Sequence, residues 1–105
     1  MAKVVYIAGP ITGVPQYWLP FEAAEDELLN AGFTPLSPAH LPRGLTPEQY
    51  MRIDLAMIDS ADAVYLLYDA CKSKGAMVEY RYCQYIGKPI AANIKDLKEA
   101  FHERD

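Results

Sequence analysis

Two carboxylic acids, Glu79 and Asp54, occupy positions on the predicted inner faces of two helices. At about 3.6 residues per turn, Glu79 shares a face with the small or apolar side chains Ala76, Cys83 and Ile86. Asp54 falls in the same way among Tyr50, Ile53, Met57 and Ala61. Because an acid buried without a purpose destabilises a fold, acids at such positions are candidates for function. Spacing alone leaves an alternative open, in which Glu79 is tilted towards solvent at a helix N-terminus and Asp54 lies at the rim of its apolar stripe.

Two carboxyl groups that flank a small cleft suit the chemistry of a glycosidic bond. One carboxylate attacks the anomeric carbon or stabilises an oxocarbenium-like state, and the other handles proton transfer. Tyr6, near the end of the first predicted strand, is placed to hydrogen-bond a carboxylate. Tyr6, Asp54 and Glu79 are therefore the candidate catalytic residues.

The elements that must position these side chains alternate along the chain as strand and helix, four times over. The predicted strands are Val4–Ala8, Phe33–Leu36, Ala63–Leu67 and Lys88–Ala92, and the predicted helices begin at Pro20, Pro47, Lys74 and Ile94. This alternation predicts a single α/β domain over residues 1–105, with three layers around a four-stranded parallel sheet. The expected strand order is 2-1-3-4, a flavodoxin-like or Rossmann-like arrangement.

In such a sheet the ligand lies beyond the carboxyl ends of strands one and three, where the strand order reverses. The loops there, Gly9–Leu19 and Tyr68–Ser73, both lead into helices whose N-termini favour an anion. The residues predicted to contact substrate are Gly9, Pro10, Ile11, Thr12, Gly13, Trp18, Ser73 and Gly75. Trp18 and Tyr17 are candidates to stack on a base, although Trp18 serves equally well as an anchor of the first helix.

Composition excludes several classes of protein and ligand. The chain has 105 residues and a formal net charge of -4, which argues against a nucleic-acid polymer as partner but not against a single nucleotide. Two cysteines without metal-ligand spacing predict a reducing, cytoplasmic setting with no metal and no cofactor. The start Met1-Ala2-Lys3 runs directly into a strand, so neither a signal peptide nor a membrane span is expected.

Two other classes with this fold fit poorly. A phosphoacceptor receiver domain needs an acid pair just after strand one, where this chain has Gly9 and Pro10. A flavin carrier needs a phosphate loop rich in serine and threonine at the same place, where only Thr12 is available.

Three motifs, in order and at suitable spacing, resemble the nucleoside 2-deoxyribosyltransferase superfamily. They are Ile7 to Gly13 (IAGPITG), Ser73 to Glu79 (SKGAMVE) and Gly87 to Pro89 (GKP), and they look most like its short DUF4406-type branch. The resemblance implies that Glu79 is the nucleophile on the anomeric carbon, that Asp54 contacts the sugar or assists with the proton, and that Tyr6 orients the nucleophile. It also implies a homodimer or a larger homo-oligomer, for which the tyrosines of the third helix, Tyr80, Tyr82 and Tyr85, are interface candidates unless they are simply half-exposed.

Ser73 bears on the substrate that the resemblance implies. Six residues before the nucleophile, the transferases of the superfamily typically carry an aspartate that engages the base, whereas the related 2′-deoxynucleoside 5′-monophosphate N-glycosidases carry a serine that contacts phosphate. The expected function is therefore cleavage of the base–sugar bond of a nucleoside 5′-monophosphate, with water or a second base as acceptor. Two alternatives stay open: Ser73 only caps its helix, or the chain is a non-catalytic nucleotide-binding module that retains the pocket.

A second loop, from Ser37 to Leu45, carries His40 and Arg43. It either closes over the site or contributes ordinary surface residues.

Overall fold

The computed structural model describes residues 2–102, in which four strands alternate with four helices. In chain order the elements are β1 (Val4–Ala8), α1 (Trp18–Asn30), β2 (Thr34–Leu36), α2 (Pro47–Ser60), β3 (Ala63–Leu66), α3 (Lys74–Ile86), β4 (Ile90–Ala91) and α4 (Ile94–His102). Short 3₁₀ turns at Pro38–His40 and Ala70–Lys72 lie ahead of α2 and α3. The predicted domain bounds of 1 and 105, and the prediction made at Met1, lie outside the described residues.

The strands form one parallel sheet in the order β2-β1-β3-β4, so the predicted α/β fold is confirmed. The order reverses between β1 and β3, and a crevice opens beyond their carboxyl ends. Pro35 lies in the edge strand β2, where the missing N–H of a proline is tolerated. None of the helices in the described part of the chain is long and apolar enough to cross a membrane.

Alternation along β1 decides which layer each side chain enters. Val5 and Ile7 belong to the core under α1 and α4, together with Phe21, Leu28 and Leu97. Tyr6 and Ala8 point to the other face and pack with Ile58, Val64 and Cys83, under α2 and α3. Tyr6 therefore enters the layer that also contains Asp54 and Glu79.

Local signals define the start of α2 and both ends of α3. The predicted capping box is present, since Thr46 Oγ1 accepts from Gln49 N–H at 3.1 Å and Gln49 Oε1 accepts from Thr46 N–H at 2.9 Å. Ser73 Oγ accepts from Ala76 N–H at 3.2 Å at the start of α3, and Gly87 ends that helix with a φ of 75°.

Several predicted boundaries differ from the structure by one or two residues. α1 begins at Trp18 rather than at Pro20, β3 ends at Leu66 rather than at Leu67, and β4 is limited to Ile90–Ala91. The differences fall at the element ends, where backbone hydrogen bonds to neighbours rather than local propensity decide the last residue.

Candidate active site

A buried hydrogen bond joins the first strand to the third helix. Tyr6 Oη donates to Glu79 Oε1 at 2.9 Å, across 73 positions of sequence. Tyr6 is fully buried and Glu79 is only 5 % exposed. The hydroxyl can reach the acid because β1 turns Tyr6 towards α3, and because Ala76 and Cys83 keep the face around Glu79 against the sheet.

Asp54 lies beside Glu79 on the neighbouring helix and is 8 % exposed. Its Oδ1 atom is buried and has no hydrogen-bond partner among the described residues. The two carboxyl groups are close enough to hydrogen-bond to each other when one of them holds a proton. A buried acceptor is normally paired with a donor, and here that proton, a water molecule or a ligand can supply it.

Burial sets the proton affinity of the acid pair. Loss of solvent raises the pKa of Glu79 from its usual 4.5 to about 8, the charge of Asp54 adds to the rise, and the Tyr6 hydroxyl opposes it. Burial also raises the pKa of Asp54, while its hydrogen bond with Glu79 acts in the opposite direction. Because two adjacent carboxylates resist ionising together, the pair holds a single proton at neutral pH.

Two neighbouring groups stay protonated and serve only as neutral partners. Burial, followed by the negative charges of Glu79 and Asp54, raises the pKa of Tyr6 well above its ordinary value, so Tyr6 acts as a hydrogen-bond donor. Burial, followed by the charge of Glu79, raises the pKa of the Cys83 thiol to about 11. Cys83 is a small core residue here, as its position on the helix predicts.

The acid pair opens into a cleft of about 550 Å³, a size suited to a small organic ligand such as one nucleotide. Seven of the predicted site residues line it: Gly9, Ile11, Thr12, Asp54, Ser73, Gly75 and Glu79. Tyr6 lies behind Glu79 and reaches the cleft only through that hydrogen bond. The structure thus gathers residues from three separate parts of the sequence around one cavity.

Pro10, Gly13 and Trp18 were predicted to contact substrate but do not line the cleft. Pro10 lines a separate groove, because adjacent residues of an extended segment point to opposite sides and Gly9 faces the cleft. Gly13 has a φ of 75° in a turn closed by Val14 N–H and the Ile11 carbonyl at 3.1 Å.

Trp18 misses the cleft because it is the first residue of α1. Neighbouring residues at a helix start diverge by about 100°, and Tyr17 is the one that faces the cavity. The Trp18 ring packs edge-on against Tyr17, with the centroids 5.4 Å apart. Of the two aromatic side chains considered for stacking on a base, Tyr17 is the one so placed.

Other cleft residues were not predicted as site residues. Pro47, Tyr50 and Met51 come from α2, Lys74 and Ala76 from α3, and Pro38, Leu41, Arg43 and Leu45 from the connection between β2 and α2. One sequence signal pointed to Tyr50, which stands one helical turn before Asp54 on the same face. Side chains of the β2–α2 connection follow no periodicity that would reveal their direction.

Two glycines let the backbone come close to the cavity. A Cβ atom at Gly9 would lie 2.5 Å from Leu67 Cδ1, so a larger residue there would force the Leu67 side chain to move. A Cβ at Gly75 would make ordinary contact with Met51 Cε at 3.7 Å. Gly75 is therefore not required by local packing, and its lack of a side chain leaves the wall of the cleft open.

Negatively and positively charged side chains lie at different depths in the cleft. The acids Asp54 and Glu79 are buried, whereas the cations that line the cavity, Arg43 and Lys74, are exposed. Lys72 instead pairs with Asp69 at 3.6 Å. Across residues 2–102, no group of three or more His, Cys, Asp and Glu side chains is arranged to hold a metal ion.

The buried acid pair predicts that the fold loses stability as the pH rises. A carboxyl group whose pKa increases from 4.5 to about 8 on folding contributes its full stabilisation below pH 4.5 and loses it as the pH passes about 8. The free energy of unfolding is therefore expected to fall by up to roughly 5 kcal/mol over that window. Urea denaturation at a series of pH values measures it.

Glu79→Gln is expected to remove most of this pH dependence, because an amide does not titrate. Glu22→Gln, on the exposed side of α1, is the matched control and should leave the dependence unchanged. Equal stability of the wild-type protein at about pH 5 and about pH 8.5 would contradict the expected burial of a titrating acid.

Comparison with known proteins is consistent with this architecture. The family described as "Domain of unknown function (DUF4406)" matches residues 3–92. No curated protein matches the sequence. Among solved structures, the 2-deoxyribosyltransferase of Bacillus psychrosaccharolyticus is similar, with 24 % sequence identity and a TM-score of 0.65 over 83 % of this chain and 69 % of that chain. This similarity shows a shared deoxyribosyltransferase fold.

Proposed function

The chain belongs to the DUF4406 family, and we propose that it cleaves the base–sugar bond of a nucleoside or deoxynucleoside 5′-monophosphate. The observation that carries the proposal is the buried pair of acids at the end of a nucleotide-sized cleft. In that pair, Tyr6 donates a hydrogen bond to Glu79, and Asp54 Oδ1 has no partner within residues 2–102. The fold shared with a 2-deoxyribosyltransferase supports the same chemistry.

Glu79 is the nucleophile in this proposal and Asp54 carries the proton. The Glu79 carboxylate attacks the anomeric carbon, the bond from that carbon to the base nitrogen breaks, and the base leaves with the bonding electrons and the proton of Asp54. Water then attacks the glycosyl ester, returns its proton to Asp54 and releases Glu79. A second base in place of water would make the same site a transferase.

The acid pair with a single shared proton supports this division of roles. Tyr6 donates to Glu79 and so favours the ionised form of that carboxyl group, against the burial and the Asp54 charge that raise its pKa. In the proposed reaction the shared proton is on Asp54 when Glu79 attacks the sugar. Retaining glycosidases use one ionised and one protonated carboxyl group in the same way. Asp54 is also the group whose unpartnered oxygen is free to accept from a sugar hydroxyl.

The start of α3 supports a phosphorylated substrate. Ser73 Oγ accepts from Ala76 N–H, so its own hydroxyl proton is free to be donated to an anion. The N–H groups of the first helical turn have no intrahelical acceptor, and the helix dipole favours negative charge at that end. Capping of the helix by Ser73 and binding of a phosphate are therefore compatible roles.

Release of free base tests the proposal. The purified protein is incubated with ribo- and deoxyribonucleosides and with their 5′-monophosphates, and free base is measured by reversed-phase chromatography. We expect base from at least one monophosphate, at a higher kcat/KM than from its nucleoside. Calorimetric binding of a nucleotide without any base release would favour a non-catalytic nucleotide-binding module instead.

Oligomeric state is a separate part of the proposal. Tyr85 is 90 % exposed, and with Val78, two turns earlier, it forms an apolar strip on the outer side of α3. Tyr80 and Tyr82 are half-buried, with hydrogen bonds to Gln84 and Asp59 at 3.2 and 2.7 Å. A strip of large exposed apolar groups on one helix is suited to cover the same strip of a second copy.

Tyr85→Glu is expected to shift the protein towards monomer, with at least a roughly tenfold weaker self-association, because it places a charge in the apolar strip. Multi-angle light scattering across a concentration series measures the shift. Tyr68→Glu, at a residue that is 96 % exposed in the β3–α3 loop, is the control and should leave the mass unchanged. A wild-type protein that is monomeric at every concentration would contradict the proposed dimer.

A cytoplasmic location is the last part of the proposal. Cys71 is an exposed free thiol and Cys83 a buried one. Free thiols of this kind are compatible with a reducing compartment.

A further inference from the structure

The connection from Ser37 to Thr46, here called the strap, forms one wall of the cleft and carries Arg43. We infer that Arg43 is the specificity-determining residue that recognises the anionic end of the substrate, and that Tyr50 positions it. The inference rests on the proposed function for the identity of that substrate, a nucleoside 5′-monophosphate.

Two contacts order the first part of the strap, one within the strap and one to α1. Ser37 Oγ accepts from Ala39 N–H at 3.2 Å and so caps the short turn at Pro38–His40. His40 Nε2 lies 2.8 Å from Glu25 Oε1 on α1. His40 is therefore an anchor of the strap and lies outside the cleft.

The Tyr50 hydroxyl forms hydrogen bonds to the backbone on both sides of Arg43. Its hydroxyl donates to the Pro42 carbonyl at 2.6 Å and accepts from Leu45 N–H at 3.4 Å, so it bridges both ends of the turn. Gly44 supports that turn with a φ of 94°. Because Tyr50 stands on α2 one turn before Asp54, the same helix positions Asp54 and, through Tyr50, the turn that carries Arg43.

Arg43 is held at the cleft but is not neutralised there. Its guanidinium carbon lies 5.9 Å from the ring centroid of Tyr17 and 5.7 Å from that of Trp18. The salt bridges within residues 2–102 are His40–Glu25 and Lys72–Asp69, and neither involves Arg43. The aromatic pair thus orients a full positive charge and leaves its N–H donors available to a ligand.

The lining of the cleft therefore combines buried acids with exposed cations. The buried acids and the unpartnered Asp54 oxygen suit the hydroxyl groups and the reacting carbon of a sugar. The exposed cations are Arg43 and Lys74, in a chain whose net charge is negative. A ligand with an uncharged sugar and one anionic group matches this combination, and a planar guanidinium is well suited to pair with phosphate through two hydrogen bonds.

The test compares Arg43→Gln with Arg52→Gln. Both changes remove one arginine charge, but Arg52 lies on the exposed side of α2, away from the cleft. The probes are the 5′-monophosphates of deoxyadenosine, deoxyguanosine, deoxycytidine and thymidine, together with the four nucleosides. We expect Arg43→Gln to lower kcat/KM for the monophosphates by roughly 10- to 100-fold and to leave the nucleosides unchanged, since a charge-assisted hydrogen bond is lost. Arg52→Gln should alter neither value.

Binding measurements separate failure of this inference from failure of the proposed function. Affinity for the same monophosphates is measured by calorimetry in the Glu79→Gln background, with and without Arg43→Gln. Base release by the wild-type protein with no loss of monophosphate preference in Arg43→Gln would overturn the inference and leave the function standing. Monophosphate binding that depends on Arg43 without base release would uphold the inference and overturn the function. No monophosphate binding to any variant would overturn both.

Tyr50→Phe tests the positioning role. The variant keeps the ring that lines the cleft and removes the hydroxyl that bonds to Pro42 and Leu45. We expect the preference for monophosphate over nucleoside to fall, by less than in Arg43→Gln, and no further loss in the double variant. A role in stability alone would lower the urea midpoint and leave that preference unchanged, and this result would overturn the positioning role.

Discussion

Replacement of Glu79 by glutamine is expected to reduce base release by at least about a thousandfold and to leave the fold intact. A nucleophile cannot be replaced by a neutral amide, and loss of a residue that forms the covalent intermediate has effects of this size or larger. The fold should survive because the glutamine carbonyl can still accept from Tyr6, which donates to Glu79 Oε1 at 2.9 Å in the wild-type protein. Base release is measured with the best monophosphate of the substrate screen.

Two additional measurements make the result specific to the nucleophile. The free energy of unfolding of Glu79→Gln should be higher than that of the wild-type protein at about pH 8.5, because an ionised acid has been removed from a buried site. Glu22→Gln, an exposed acid on α1, should retain full activity. Near wild-type turnover in a folded Glu79→Gln protein would exclude Glu79 as nucleophile.

Periodicity allowed the direction of side chains to be predicted wherever they lie within a regular element. Alternation along β1 separates Tyr6 from Val5 and Ile7, and helical spacing turns Glu79 to the same face as Cys83. Strand order followed from the strand–helix alternation because parallel strands require crossover helices on the sheet faces. These rules were sufficient to bring the two acids and Tyr6 into the same layer before any contact was known.

The direction in which side chains point within loops was much less predictable, because it depends on contacts with residues that are distant in sequence. Arg43 lines the cleft because Tyr50 and the Tyr17–Trp18 pair hold it there, and no local pattern records those contacts. The loop after β1 shows the same difficulty within two residues, since Gly9 faces the cleft and Pro10 faces another groove. Trp18 is the first residue of α1, two residues before the predicted start at Pro20, and it lies outside the lining of the cleft.

Burial of the acids was predictable as a pattern, but their proton affinity was not. The raised pKa of Glu79 arises from desolvation, from the charge of Asp54 and from the opposing hydrogen bond of Tyr6, which are brought together from three separate elements. Sequence spacing predicts that each acid faces inward, whereas the balance of these effects requires the distances between them.

Asp54→Asn is expected to lower base release from ordinary nucleotides by about 10²- to 10⁴-fold, because the departing base loses its proton donor. In the wild-type protein, activity should also decline as the pH rises through about 8, where the acid pair gives up its shared proton. That decline should be absent from the residual activity of Asp54→Asn, because an asparagine has no proton to lose. Removal of the Asp54 charge also lowers the pKa of Glu79, so the variant holds its nucleophile ionised over a wider range.

A substrate that needs no protonation distinguishes proton donation from contact with the sugar. A 7-methylguanine nucleotide carries a positive charge on its base and leaves as a neutral molecule, so Asp54→Asn should cleave it at close to the wild-type rate if the carboxyl group acts as the acid. If Asp54 acts through the sugar, the loss should be equally large for methylated and ordinary nucleotides, since the unpartnered oxygen would have been lost as an acceptor in both cases. An equal loss would therefore reject the acid role and leave Glu79 as the only group of the pair that takes part in bond cleavage.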